Sequence, residues 1–210
     1  MKKAVIWDLD GTLFDSYDVI VESIYLTLMN QGIAMDLEQI HQFAIRSSIK
    51  ALFAKIAQTH GISSEILHGD YSRISTGKFL QIKPMPNAIE VLERLEKAGV
   101  ENLVFTHRGK TTQPVLENLK MSKFFKEVVT SQNGFARKPN PEGLNYLIDK
   151  YDLDVGNTWY VGDRTLDMEC AKNSGISGIL YLPQGAIDVS GGAEDYVVTD
   201  LLEIINIVLS

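Results

Sequence analysis

Two aspartates close a short apolar run near the start of the sequence, where Ala4-Val5-Ile6-Trp7 leads into Asp8-Leu9-Asp10-Gly11-Thr12. At an extended strand end, residues two apart project to the same side, so Asp8 and Asp10 can face one site. Close carboxylates repel, and they tolerate each other best with a cation between them or a proton on one. Gly11 lets the backbone turn sharply and approach a ligand closely. Alone, the pair reads equally well as a solvated Asp-Gly turn. A second acidic group repeats the pattern: Trp159-Tyr160-Val161 runs into Gly162-Asp163-Arg164-Thr165-Leu166-Asp167. With a helix starting near Arg164, Asp163 and Asp167 fall on roughly one face. An N-cap accounts for Asp163 but not for the second acid. Carboxylates at two strand ends suit a hard, oxygen-ligated cation such as Mg2+, which keeps several waters and binds one or two carboxylates plus phosphate. Thr106 ends the run Asn102-Leu103-Val104-Phe105 and would offer a hydroxyl and a backbone N–H at the same edge. Lys138 stands in Arg137-Lys138-Pro139-Asn140-Pro141-Glu142, just ahead of a helical pattern. Taken singly, such a threonine is a turn residue and such a lysine a surface charge.

These residues need a scaffold that brings several strand ends together. Apolar runs at 4–7, 102–106, 127–130, 158–162 and 178–182, with a weaker one at 196–198, read as strands buried on both faces. Helical patterns at 88–95, 141–149 and 166–173 alternate with them, and Gly99 sits where a helix-ending glycine belongs. The alternation predicts an α/β fold with a doubly wound parallel sheet. Ligands of such sheets bind beyond the carboxyl ends of the strands, where the acidic pairs lie. Between residues 16 and 82 the character changes to four helical patterns, 18–30, 37–44, 47–59 and 63–79, with no convincing strand. The expected organisation is an α/β core of residues 1–15 and 83–210, interrupted by an all-helical cap of residues 16–82. Pro84-Met85-Pro86 makes a stiff return to the core.

Composition narrows the function classes. The 210 residues carry 20 Lys+Arg and 27 Asp+Glu, a net charge of −7, which argues against nucleic acid or an anionic membrane as partner. The single cysteine, Cys170, cannot form an internal disulfide, and a cytoplasmic location is expected. Met1-Lys2-Lys3 resembles the start of a leader, but Asp8 and Asp10 interrupt any apolar segment. His41, His60 and His68 lack metal-ligand spacing. Cys170 reads as a packed thiol, and Trp7 and Trp159 as core.

In order and spacing, Asp8-Leu9-Asp10-Gly11-Thr12, Thr106, Lys138 and Gly162-Asp163 with Asp167 resemble the four motifs of the haloacid dehalogenase (HAD) superfamily. Pro84-Met85-Pro86-Asn87 and the run from Asp167 to Gly175 look like its phosphoglycolate-phosphatase-like branch, and the likeness covers essentially the whole chain. The resemblance implies that Asp8 is a nucleophile forming an aspartyl-phosphate and that Asp10 is the general acid and base. It implies Mg2+ held by Asp8, the Asp10 main-chain carbonyl and Asp163, with Asp167 behind them, and Thr106 and Lys138 on the phosphoryl oxygens. Candidate substrate contacts are Gly11 and Thr12 beside the nucleophile, His107 and Arg108 after the motif threonine, and Arg46 in the cap. Relatives that dehalogenate small acids lack the second aspartate, so Asp10 favours phosphoryl transfer. The expected function is a Mg2+-dependent phosphatase acting on a small phosphorylated metabolite, as a monomer or homodimer, with phosphoglycolate a candidate by resemblance only. A sugar-phosphate mutase and an idle phosphometabolite-binding regulator stay open. Against the mutase, the first cap helix, Asp18-Val19-Ile20-Val21-Glu22-Ser23, has no histidine. Lys50 and Lys55, the cap lysines a phosphonate-cleaving relative would use, read as solvated helix positions.

Overall fold

A computed structural model describes residues 2–210, which pack as two units, one of the residues up to Asp15 with Lys83–Ser210 and one of Ser16–Ile82. The first unit is built on a six-stranded parallel sheet. Its strands are β1 (Ala4–Trp7), β4 (Glu101–Phe105), β5 (Val128–Val129), β6 (Thr158–Gly162), β7 (Ser177–Tyr181) and β8 (Tyr196–Val198), in the spatial order β5-β4-β1-β6-β7-β8. β1 is central, in register with β4 from Ala4↔Glu101 to Trp7↔Val104 and with β6 from Ala4↔Thr158 to Trp7↔Val161. Every residue of β1 and β6 is buried, as a sheet covered on both faces requires. Two residues of the first unit, Phe14–Asp15 (β2), pair antiparallel with Lys83–Pro84 (β3), so the outgoing and returning chain run side by side.

Helices α5 (Ala88–Lys97), α6 (Thr112–Asn118), α7 (Glu142–Tyr151), α8 (Thr165–Ser174) and α9 (Glu203–Leu209) complete this unit. α7 and α8 bury Leu144, Leu147, Cys170 and Ala171 against Ala4, Ile6, Leu103, Phe105 and Tyr160 of the sheet. α5 packs on β4 and α9, burying Val91, Leu92 and Leu95. The second unit is all helical: α1 (Tyr17–Asn30), α2 (Leu37–Arg46), α3 (Ile49–His60) and α4 (Ser64–Lys78). Its own core gathers Ile24, Leu28, Ile40, Leu52, Phe53 and Leu67. The Asp36 carboxylate accepts the N–H groups of Glu38 and Gln39, and Ser48 and Ser63 accept those of Ala51 and Glu65, satisfying helix-start donors.

Several element limits differ from the sequence reading, each for a local reason. Ser48 caps α3, so that helix starts at Ile49 rather than at 47, and α2 runs on past 44 to Arg46. The strand expected at 127–130 is only Val128–Val129, an edge strand bonded on one side. α6 carries Pro114 in its first turn, where the missing N–H costs nothing. It and α9 span only seven residues each, too short for a clear apolar period.

Candidate active site

The functional candidates of the core unit converge at the carboxyl ends of β1, β4 and β6. The Asp8 N–H still bonds to Val161 O (2.8 Å), so the ladder holds Asp8 one residue past β1. The chain then coils back on itself: Leu9 O accepts the N–H groups of Thr12, Leu13 and Phe14, and Gly11 adopts φ +81° to allow it. Asp163 follows β6 directly. Asp167 lies in the first turn of α8, where its Oδ2 accepts the Arg164 N–H (3.2 Å). Carboxylate oxygens of Asp8, Asp163 and Asp167, all buried, lie within 4.8 Å of one another.

Gly162 explains how Asp167 fits there. A Cβ on residue 162 would stand 2.4 Å from the Asp167 Cβ, so only glycine lets that side chain cross the end of β6. Lys138 reaches into the cluster from the loop before α7. Its Nζ donates to Asp167 Oδ1 (2.7 Å) and lies 3.0 Å from Asp8 Oδ1, an ion pair not aligned as a hydrogen bond. That leaves the buried Asp8 Oδ1 without a hydrogen-bond donor. The aromatic rings of Phe105 and Tyr160 flank the ammonium at 5.4 and 5.2 Å. The Tyr160 hydroxyl donates to Phe105 O (2.9 Å) and stands 3.3 Å from Asp167 Oδ1. Gly143 on α7 makes room for the Phe105 ring, which a Cβ there would meet at 2.4 Å.

The electrostatics follow from burial. Withdrawal from water pushes the Asp8 carboxyl up to about 6; Lys138 pulls it down, and Asp167 and Asp10 add to the rise. Burial works against the charge on Lys138, but Asp167 and Asp8 outweigh it and hold the ammonium above its usual range. Cys170 is buried beside this network, and burial pushes its thiol up to about 12, which suits a packed residue rather than a nucleophile.

Several sequence expectations change in detail. The Asp10 carboxylate lies outside the three-acid cluster and pairs with Arg108, Nη1 to Oδ1 2.6 Å. Gly11 gives its N–H to Phe14 O (2.9 Å), and Thr12 turns its hydroxyl to Asp163 Oδ1 (3.3 Å), one of the cluster acids. The Thr106 N–H is spent on Val129 O (3.0 Å). Its Oγ1 accepts the Arg108 N–H (3.2 Å), leaving the hydroxyl proton as what this residue offers. His107 does not reach over the site: its Nε2 accepts the Lys138 N–H (2.8 Å), and Arg137 stands 3.2 Å from Nδ1. Burial, then the charges of Lys138, Arg137 and Arg164, drive this imidazole down to about 2, so it is neutral. Arg46 ends α2 in the helical unit, exposed, with its Nε bonded to Gln42 Oε1. Sequence reasoning passed over Tyr160, Phe105 and Gly143. A tyrosine inside a buried run was the available signal, because its hydroxyl must find a partner there.

Residues 5–181 match the family model of the haloacid dehalogenase-like hydrolases. The chain belongs to this family. Among its curated relatives, the phosphoglycolate phosphatase of Vibrio parahaemolyticus is 26% identical over 220 residues, covering 98% of this chain and 96% of that protein. The one from Agrobacterium fabrum is 30% identical over 183 residues, covering 83% and 78%. A hydrolase from Pseudomonas syringae superposes with a TM-score of 0.78 at 25% identity, covering 98% of this chain and 97% of that one. A haloacid dehalogenase-like protein from Streptococcus pneumoniae shares the fold, with a TM-score of 0.81 at 21% identity over 98% of each chain. The cluster at the ends of β1 and β6 is therefore the candidate active site of a HAD-family hydrolase. Among the described residues, no helix is long and apolar enough to cross a membrane.

Proposed function

We infer that this hydrolase is a Mg2+-dependent phosphatase of small phosphomonoesters, working through an aspartyl-phosphate on Asp8. The observation that carries the reading is the buried trio of Asp8, Asp163 and Asp167 with Lys138 set between two of them. The donor set is all oxygen, and one buried oxygen of Asp8 has no hydrogen-bond donor, which fits a hard divalent cation. Asp8, Asp163 and the Asp10 carbonyl would hold Mg2+, whose chemistry is to draw charge off the phosphoryl oxygens. Asp167 stays with Lys138 and orients it.

In the first step an Asp8 carboxylate oxygen bonds to phosphorus, the bond from phosphorus to the ester oxygen breaks, and Asp10 gives that oxygen a proton. In the second, water attacks phosphorus, Asp10 takes the water's proton, and the Asp8–phosphorus bond breaks to release phosphate. The Lys138 ammonium and the Thr106 hydroxyl donate to phosphoryl oxygens throughout. The names of the curated relatives support a phosphatase over a mutase and make phosphoglycolate a candidate substrate. Phosphate release from p-nitrophenyl phosphate, measured with and without Mg2+ for the native chain and D8N, tests the reading. Metal-dependent release that disappears in D8N is expected, and equal release by both proteins would remove Asp8 as nucleophile.

A further inference from the structure

Arg108 is a cation short of acceptors. It stands two residues past Thr106, its side chain is 11% exposed, and its guanidinium lies 5.9 Å from the centre of the Phe14 ring. Nη1 donates to Asp10 Oδ1, while Nε is buried without a partner among the described residues. A guanidinium carries five N–H donors in a planar fork built for two-oxygen anions. A nearly buried one with a single carboxylate oxygen as its charged partner is left with donors to satisfy. Its place is fixed: the Arg108 N–H holds the Thr106 hydroxyl oxygen, so the fork and the phosphoryl-binding threonine share one edge of the sheet.

Asp10, the partner of Arg108, is also the residue that must face the leaving oxygen if the phosphatase reading holds. While Arg108 grips Oδ1, that oxygen is engaged elsewhere. We propose that Arg108 exchanges partners in the reaction: it holds Asp10 in the free enzyme and turns to an anionic group on the leaving alcohol when substrate binds, releasing Asp10 to the ester oxygen. The substrate class is then phosphomonoesters whose alcohol bears a second anion, a carboxylate or another phosphate. A neutral alcohol leaves Arg108 on Asp10 and reacts slowly. Arg108 is thus a specificity-determining residue, and the inference rests on the phosphatase reading.

The test uses three phosphate esters with the same two-carbon length: 2-hydroxyethyl phosphate, 2-phosphoglycolate and ethylene glycol bisphosphate. They differ only in a hydroxyl, a carboxylate or a second phosphate at the far end. Phosphate release with Mg2+ is followed for the native enzyme, R108Q and R108K, with the thermal midpoint of each as a check on folding. The native enzyme is expected to prefer one charged ester, and which one it prefers separates carboxylate from phosphate. The ratio of kcat/KM for that ester over the neutral one falls about 100-fold in R108Q, the size expected when a buried charge pair loses a partner. R108K keeps part of the preference, since a point charge replaces the fork. A native enzyme without preference, or an R108Q ratio within a few-fold of native, overturns the inference. If p-nitrophenyl phosphate is cleaved and none of the three esters is, the inference fails alone. If nothing is cleaved, including p-nitrophenyl phosphate, the phosphatase reading fails and takes the inference with it.

Discussion

Lys138 and Asp167 meet as an ion pair at 2.7 Å with side chains 1% and 0% exposed, a cation and an anion both withdrawn from water. Neither charge is tolerable without the other, because an uncompensated buried ion costs several kcal/mol. The pair is not isolated, since the same ammonium is 3.0 Å from Asp8. One lysine therefore keeps two buried carboxylates together, and at the same time it is the cation aimed at the proposed phosphoryl group. The stabilising role and the proposed functional role fall to one atom.

Replacing Lys138 by methionine fills similar space and removes the charge. Asp8 and Asp167 then face each other uncompensated, and K138M should lose about 3–5 kcal/mol. For a chain of this size that is a fall of roughly 10 °C in the metal-free thermal midpoint. Adding D167N to K138M should recover part of the loss, because the second change removes one of the two repelling charges. Thermal unfolding of the two single variants and the double variant measures this. A K138M protein as stable as native would mean that the carboxylates do not depend on the lysine.

The Asp8 carboxyl gives the opposite sign. Its value in the fold, about 6, lies above the 3.8 of a free aspartate side chain, so folding favours the protonated form. The stabilising contribution of that proton is complete below about pH 4 and disappears as the pH rises through about 6. At pH 8 the buried carboxylate is a destabilising group, by about 3 kcal/mol at most for a rise of roughly two units. An asparagine carries no such charge. Metal-free D8N should melt several degrees above the native protein at pH 8, with the difference closing toward pH 4. Mg2+ should raise the native midpoint and leave D8N unmoved, because only the ionised site binds the cation. A D8N protein that melts below native at pH 8 would contradict the account.

The acids were legible because their chemistry shows in residue type, whereas Thr106 and Lys138, which taken singly read as a turn residue and a surface charge, stood out only through the family resemblance. Asp8, Asp163 and Asp167 come together as strand ends and a first helical turn require, and the buried runs at residues 4–7 and 158–162 named the strands that carry them. What stayed hidden is the direction of side chains after the strands end. That Arg108 turns to Asp10, and His107 to the backbone of Lys138, depends on how the loop after β4 is tied through the Thr106 hydroxyl. No periodicity encodes such ties. Gly143 was equally silent, and Gly162, though part of a motif, gave no hint of the Asp167 side chain it makes room for, because each is needed only for a neighbour that packing alone reveals.

His107 illustrates the cost of that blindness and supplies a last prediction. In a loop after the motif threonine, a histidine reads as an anion contact, yet this ring is spent on holding the Lys138 N–H at 2.8 Å. An imidazole whose Nε2 accepts carries its single proton on Nδ1, so the nearby Arg137 is a repelling neighbour rather than a second donor. With protonation driven down to about 2, the ring does not titrate between pH 4 and 9. Activity across that range should therefore show no step belonging to His107, and H107Q should have a pH profile of native shape. Glutamine also offers an acceptor to the Lys138 N–H, whereas alanine leaves that donor without one, at a cost of about 1–3 kcal/mol. H107A should thus lower kcat by roughly tenfold or more through a displaced Lys138, and H107Q should restore most of it. Steady-state kinetics of the two variants from pH 5 to 9 decide the matter. Loss of an ionisation near pH 6–7 in H107Q would show that the ring titrates, and equal damage from both substitutions would show that its hydrogen bond to Lys138 is not what the enzyme uses.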